Sequence, residues 1–109
     1  MEDWLGLKDR VIIVTGGNSG IGAAICDALR KAEAIVVSAD ISYTEETDTE
    51  VPCDVTKKDS VCHMIEHTVN RYGRIDGLVN NAGMTLPRML AEARSEERML
   101  RLLPSALTL

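Results

Sequence analysis

Aromatic residues are scarce in this chain of 109 residues, which has one Trp, two Tyr and no Phe. So few rings offer little surface on which nucleic-acid bases could stack, and the formal net charge of -5 gives no basic field for a phosphate backbone. We therefore expect no nucleic-acid partner.

Long hydrophobic runs are also missing, since no apolar stretch approaches the roughly 20 residues that a membrane-spanning helix needs. The chain opens on Met1-Glu2-Asp3, which is acidic where a secretory signal would be basic. We expect no membrane partner and a cytoplasmic location.

Cysteine is present only as Cys26, Cys53 and Cys62, an odd number without CxxC spacing. This pattern argues against a disulfide framework and against a zinc site, so we expect reduced, partly buried thiols. His63 and His67 are four residues apart and could share a metal on one helix face. Because no third ligand is evident, we predict two partly exposed helix histidines and no metal site.

The most informative stretch is VIIVTGGNSGIG, which runs from Val11 to Gly22. Its β-branched start predicts a buried parallel strand, followed by a glycine loop and a helix from about Gly20 to Ala32. In a dinucleotide site of this form, phosphates lie at the helix N-terminus. Gly16 would permit the tight turn, Gly20 the approach of a pyrophosphate, and Gly22 close packing of the helix. The alternative is a glycine-rich turn that binds nothing.

A second strand, residues 35–39, leads to Asp40. This carboxylate stands about 20 residues beyond the glycine loop, where it can accept hydrogen bonds from the adenosine ribose. It would repel a 2′-phosphate, so it favours NAD over NADP. A solvated carboxylate at a strand end or turn is the alternative.

The first helix is followed by Glu33, where glycine would close the last turn most easily. Either Glu33 adopts the left-handed conformation, at a cost of about 1 kcal/mol, or the turn takes another form. Residues 42–50 are rich in Thr, Glu and Asp and predict a surface loop. Residues 51–55 predict a short third strand that ends at Asp54.

The remaining pattern predicts one more helix and one more strand. Thr56 is the predicted N-cap, with Asp59 completing a capping box, and Gly73 is the predicted C-terminal cap. The apolar face of this helix comprises Val61, Ile65, Thr68, Val69 and Tyr72. Residues 74–83 then supply the fourth strand and its terminal turn.

Two motifs occur in order: TGxxxGIG, from Thr15 to Gly22, and NNAG, from Asn80 to Gly83. Between about Leu7 and about Arg88 the chain resembles the short-chain dehydrogenase/reductase family. The resemblance implies an α/β fold, a Rossmann-like doubly wound parallel sheet of order 3-2-1-4, truncated to about its first four strands. It also implies hydride transfer between an alcohol and a nicotinamide cofactor, for which Asp40 favours NAD. A narrower resemblance within the family, carried by WLxLKDRVIIVTGGxSGIG, RIDGLVNNAG and Leu86-Pro87-Arg88, implies a polyol or sugar-phosphate alcohol as substrate.

The same resemblance implies a set of cofactor-binding residues, among which Asp54 and Val55 match the family position that contacts adenine. A turn carboxylate is the alternative for Asp54. The full set is Thr15, Gly16, Asn18, Ser19, Gly20, Ile21, Gly22, Asp40, Asp54, Val55, Asn81, Ala82 and Gly83.

Family chemistry also requires a Ser and a Tyr-x-x-x-Lys pair downstream of NNAG. Here Tyr43 and Tyr72 both precede NNAG, and Thr47 and Asp76 stand where the Lys would be. We therefore assign no catalytic residue and expect the chain to be inactive.

The last stretch, residues 89–109, does not resemble the family in sequence. We predict an NAD-binding half-domain over residues 1–88 and a tail that could form a helix over 89–109, with a shifted reading frame as the hypothesis for its origin. The alternative function is a non-catalytic nucleotide-binding or interaction module that associates through an exposed sheet edge.

Overall fold

A computed structural model describes residues 6–82 of the chain. Six elements follow one another: β1 (Val11–Thr15), α1 (Gly20–Lys31), β2 (Ile35–Asp40), β3 (Glu50–Pro52), α2 (Lys58–Tyr72) and β4 (Gly77–Asn80). Gly83 and the predicted tail at 89–109 lie outside the described residues.

The four strands form one parallel sheet of order β3-β2-β1-β4, which confirms the predicted doubly wound arrangement. Every residue of β1 is buried. A strand covered on both faces needs a continuous apolar run, and the β-branched sequence of β1 supplies it.

The two faces of the sheet carry separate cores because successive side chains of a strand point to opposite sides. Ile13 packs on the α2 face with Met64 and Ile65, all at most 1% exposed. Ile12 and Val14 pack on the α1 face with Cys26. Met64 is fully buried although it was not among the apolar positions predicted for α2.

Both helices end close to the predicted residues, by different cap geometries. Glu33 follows α1 with φ +68°, and its N–H donates to the Arg30 carbonyl at 2.9 Å. The first of the two forms predicted for this turn, a left-handed non-glycine residue, is thus confirmed. Gly73 caps α2 with φ +82°, also as predicted.

The segment between β3 and α2 differs from the prediction. β3 ends at Pro52 rather than Asp54, because the Asp54 N–H leaves the sheet and donates to Ser60 Oγ at 2.9 Å. Thr56 is not the N-cap of α2: its hydroxyl donates to Asp54 Oδ1 at 2.5 Å, and the helix begins at Lys58 without a side-chain cap. The capping-box prediction was therefore wrong.

Cys26 and Cys53 are buried free thiols, and Cys62 is a half-buried one. Burial raises the pKa of the Cys26 and Cys53 thiols above the ordinary value, so both stay protonated at neutral pH. From residue 6 to residue 82, no helix combines the length and the apolar character that crossing a bilayer requires.

Candidate nucleotide-binding site

The turn between β1 and α1 is closed by Gly16, which has φ +68°. Its N–H donates to the Ala39 carbonyl at 2.7 Å, and its own carbonyl accepts from Asn81 Nδ2 at 3.2 Å. A Cβ at Gly16 would lie 2.9 Å from that same Nδ2. The turn is therefore held between the carboxyl ends of β2 and β4, where a side chain would not fit.

Gly22 lies in the first turn of α1 and packs directly on the glycine turn. A Cβ at Gly22 would lie 1.9 Å from the Gly16 carbonyl oxygen, so only glycine allows this approach of helix to turn. Gly20 has φ +58° and open space where its Cβ would be. This geometry agrees with the tight turn expected of Gly16 and the close packing expected of Gly22. Contact of Gly16, Gly20 or Gly22 with a cofactor stays a prediction.

The N-terminus of α1 is open to an anion. Ser19 makes no side-chain cap hydrogen bond, and the first turn contains no acidic residue. Asn18, Ser19 and Gly20 are exposed, and Ile21 is 73% exposed. The N–H groups of a first helical turn have no intrahelical partner, so they and the helix dipole favour a negatively charged group here.

Asp40, at the end of β2, is fixed by three hydrogen bonds. Its Oδ2 accepts from the Asn18 N–H at 3.1 Å, and its Oδ1 accepts from the Ser42 N–H at 2.9 Å and Ser42 Oγ at 2.8 Å. Partial burial opposes the charge, but these hydrogen bonds outweigh it and lower the pKa of Asp40 below the ordinary value. The carboxylate is therefore ionised at neutral pH and held in one orientation.

A cleft of about 320 Å³ lies beside this carboxylate. Its volume is at the lower end of the range of about 300–1,000 Å³ that small-molecule sites occupy. The cleft brings together predicted residues from the ends of all four strands. Its lining residues are Gly16, Asp40, Ile41, Cys53, Asp54, Val55, Thr56 and Ala82.

Asp54 has an ordered carboxylate in this cleft. Its Oδ1 accepts from the Thr56 hydroxyl and from the Thr56 N–H, at 2.9 Å for the latter. These two hydrogen bonds lower the pKa of Asp54. Asp54 is thus a turn carboxylate, which was the alternative to a cofactor-binding role, and it also lines the cleft.

The turn after β4 is organised by Thr15. Its Oγ1 accepts from the N–H groups of Asn81 and Ala82 at 3.1 and 3.2 Å and lies 3.3 Å from the Val79 carbonyl, to which it donates. Since the side chain is fully buried, Thr15 supports the site from behind rather than facing the cleft.

Four residues near the cleft were not predicted: Ile41, Ser42, Cys53 and Thr56. Ser42 carried a usable signal, because a polar residue two positions after Asp is the ordinary pattern of an Asx turn. Ile41, Cys53 and Thr56 had no such pattern, and each stands out in the sequence only as the neighbour of a predicted site residue.

The two histidines lie on α2, away from this cleft. His63 Nε2 is 2.5 Å from Glu46 Oε1, and His67 Nδ1 is 3.6 Å from Glu46 Oε2. The side chain of His63 is 58% exposed and that of His67 is 14% exposed, as predicted for partly exposed histidines. In the described part of the chain, no cluster of three or more His, Cys, Asp or Glu residues is arranged to hold a metal ion.

A parallel sheet with helices on both faces, a glycine turn after β1 and a carboxylate after β2 define a dinucleotide-binding domain of the Rossmann type. Residues 10–104 match the short chain dehydrogenase family. The chain therefore belongs to the short-chain dehydrogenase/reductase family, whose members are oxidoreductases that act on alcohols. The match passes residue 88, and the domain boundary there stays a prediction.

The named relatives include dehydrogenases of sugars and sugar phosphates as well as a fluoren-9-ol dehydrogenase and a 3-oxoacyl-[acyl-carrier-protein] reductase. The chain is 42% identical over 100 residues to a sorbitol-6-phosphate 2-dehydrogenase of Klebsiella pneumoniae, covering 87% of this chain and 38% of that protein. It is 35% identical over 102 residues to an L-fucose dehydrogenase of Bos taurus, covering 86% and 38%.

The fold also matches a solved structure, the ligand-free aldohexose dehydrogenase of Thermoplasma acidophilum. The TM-score is 0.65 at 40% identity, over 72% of this chain and 31% of that one. The chain thus spans less than half the length of the relatives that it matches.

Proposed function

We propose that this chain is the NAD-binding part of an alcohol-oxidising dehydrogenase. The observation that carries the proposal is the fixed Asp40 carboxylate, which borders the 320 Å³ cleft and accepts from the N–H of Asn18, just before the N-cap of α1. The N–H groups of that helix would hold the pyrophosphate, and Asp40 would accept from the ribose hydroxyls. Bound NAD would supply hydride-transfer chemistry to the complete enzyme.

NAD is proposed over NADP because of charge. An ionised Asp40 that accepts from the ribose would lie close to the 2′-phosphate of NADP, and two neighbouring negative charges repel each other. Both carboxylate oxygens already accept hydrogen bonds, so the group cannot easily turn away.

For the substrate we propose a polyol or sugar phosphate, with sorbitol 6-phosphate as the first candidate. The support is the identity with the Klebsiella enzyme, together with WLxLKDRVIIVTGG at the start of the chain, RIDGLVNNAG and the following Leu86-Pro87-Arg88. Because no Tyr-x-x-x-Lys pair follows NNAG in the 109 residues, this chain alone should form no NADH from NAD and sorbitol 6-phosphate.

Calorimetric titration of the full chain with NAD and NADP tests the cofactor proposal. We expect NAD to bind at least about tenfold more tightly than NADP, a difference of about 1.4 kcal/mol. Asp40→Ala should weaken the binding of NAD and reduce the preference for NAD over NADP. Glu45→Ala is the matched control, since it removes an exposed carboxylate from the same connection, outside the residues that line the cleft.

Equal binding of NAD and NADP, or an Asp40→Ala variant indistinguishable from Glu45→Ala, would contradict the proposal.

A second candidate, the interaction module, is favoured by one observation: on its side away from β1, β4 has no strand partner among residues 6–82. Failure to bind either nucleotide, combined with stable pairing to an intact dehydrogenase of this family, would favour that module.

A further inference from the structure

We infer that Tyr43 is a positioning residue for nucleotide binding: through its hydroxyl pair with Ser38 it holds the turn in which Ser42 orients the Asp40 carboxylate beside the cleft. The inference rests on the proposed function, because it assigns to Tyr43 the task of keeping the ribose-binding carboxylate in place.

Tyr43 is attached to the end of β2 at two points. Its hydroxyl lies 2.6 Å from Ser38 Oγ, and its N–H donates to the Asp40 carbonyl at 3.3 Å. Ser42 lies between Asp40 and Tyr43 in the chain and donates from its own N–H and Oγ to Asp40 Oδ1. The tyrosine therefore closes a short loop around the group that orients the carboxylate.

Ser38 is a firm anchor for this loop. It is 2% exposed, and its N–H donates to the Thr49 carbonyl at 2.8 Å, at the far end of the same connection. A Cβ at Gly17 would lie 2.1 Å from Ser38 Oγ, so the hydroxyl packs directly against the glycine turn. The hydroxyl pair thus links the β2–β3 connection to the turn that leads into α1.

Asn18 extends the same link into the site. It follows Gly17, and its N–H donates to Asp40 Oδ2 while its Nδ2 donates to Ser42 Oγ at 2.8 Å. Each oxygen of the carboxylate is therefore held from a different turn, and the hydroxyl pair beneath holds the two turns together.

Removal of the Tyr43 hydroxyl would release this turn from Ser38. Burial raises the pKa of Tyr43, so the hydroxyl keeps its proton at neutral pH and the hydrogen bond is present there. Without it, the turn would have to be ordered when the nucleotide binds, and that ordering reduces affinity.

The test uses Tyr43→Phe, which keeps the ring, and calorimetric titration with ADP. Loss of one net hydrogen bond predicts binding that is about 3- to 10-fold weaker. Tyr72→Phe is the matched control, since its hydroxyl donates to the Asp48 carbonyl at 2.9 Å in the same connection but away from the carboxylate. This control should change ADP affinity by less than about twofold.

A second ligand, 2′-deoxy-ADP, separates positioning from general damage. It lacks the ribose hydroxyl that Asp40 would accept from, so wild-type protein should prefer ADP over it. Tyr43→Phe should reduce this preference, and so should Ser38→Ala, whereas loosening of the whole fold would weaken both ligands alike. The double variant should be no worse than the more affected single variant, because both remove the same hydrogen bond.

A Tyr43→Phe protein with the wild-type ratio of ADP to 2′-deoxy-ADP affinity would overturn the inference and leave the proposed function standing. Wild-type protein that binds neither ligand, or binds both equally, would overturn the proposed function and the inference with it. Circular dichroism of each variant establishes that it is folded. If Tyr43→Phe does not fold, Ser38→Ala tests the same hydrogen bond by removing its other partner.

Discussion

At the scale of single residues, Glu33 carries a backbone cost that a substitution can remove. Its φ of +68° places it in the left-handed region, which costs a residue with a Cβ about 1 kcal/mol and costs glycine almost nothing. The relief exceeds the freedom that glycine adds to the unfolded chain, so Glu33→Gly should raise the free energy of unfolding by up to about 1 kcal/mol, as measured by urea denaturation.

Its neighbour Ala32 is the matched control because it has φ -83°. Glycine at that position gains no relief and adds freedom to the unfolded chain, so Ala32→Gly should lower the free energy of unfolding by about 0.5–1 kcal/mol. Two glycine variants that move stability in the same direction would contradict this account of the turn.

At the scale of elements, Asp76 joins the start of β1 to the turn before β4. Its Oδ2 accepts from the Val11 N–H at 2.8 Å, while its own N–H donates to the Val11 carbonyl at 2.8 Å. Partial burial opposes the charge, but hydrogen bonds from Arg74 and Val11 outweigh it and lower the pKa of Asp76. The ionised carboxylate therefore stabilises the folded chain.

Asp76→Ala should lower the free energy of unfolding by about 1–3 kcal/mol at pH 7, because it leaves the buried Val11 N–H unpaired. A carboxyl whose pKa is lower when folded stabilises the protein above its unfolded pKa of about 3.9 and loses this effect as pH falls further. The gap between wild type and variant should thus narrow below about pH 4.

Urea denaturation at several pH values measures this gap. Asp27→Asn changes an exposed carboxylate on α1 and should leave stability nearly unchanged across the series. A gap between wild type and Asp76→Ala that is constant down to pH 2.5 would rule out the ionised form of Asp76 as the source of the stability.

Local periodicity predicted the helix positions, whereas the strand order followed from the family resemblance that the two motifs carry. Element ends were less predictable where a side chain of another element decides them. Ser60 accepts the Asp54 N–H and so ends β3, and Asp54 accepts the Thr56 hydroxyl that would otherwise have capped α2. Neither contact follows from periodicity.

The candidate site divides in the same way. Gly16, Asp40 and Ala82 could be predicted because they belong to, or stand at set distances from, recognisable motifs. Ile41 and Cys53 could not, since they reach the cleft only through the path of the chain between β2 and α2. The hydroxyl pair of Ser38 and Tyr43 could not be predicted either, because no motif contains it.

At the scale of the whole molecule, β4 pairs only with β1 within residues 6–82. An open strand edge with apolar neighbours is a template for association, and small domains bury a lower fraction of their surface than large ones. We therefore predict that the chain has marginal stability and associates with other copies as its concentration rises, measured by sedimentation velocity.

Association through strand pairing and apolar contact should persist in about 0.5 M salt, whereas association through surface charges would be screened. A single monomeric boundary at all concentrations, with a cooperative thermal melt, would show this prediction to be wrong.

The central position of β1 also has a consequence for synthesis on the ribosome. One of its two hydrogen-bonding partners, β4, begins at Gly77, more than 60 residues after β1 ends at Thr15. At about 5–20 residues per second, a nascent chain carries β1 for about 3–12 s before β4 is made. During that interval β1, the most apolar of the four described strands, has a free side. The emerging polypeptide is therefore most exposed to capture by a chaperone, or by a neighbouring nascent chain, before β4 emerges.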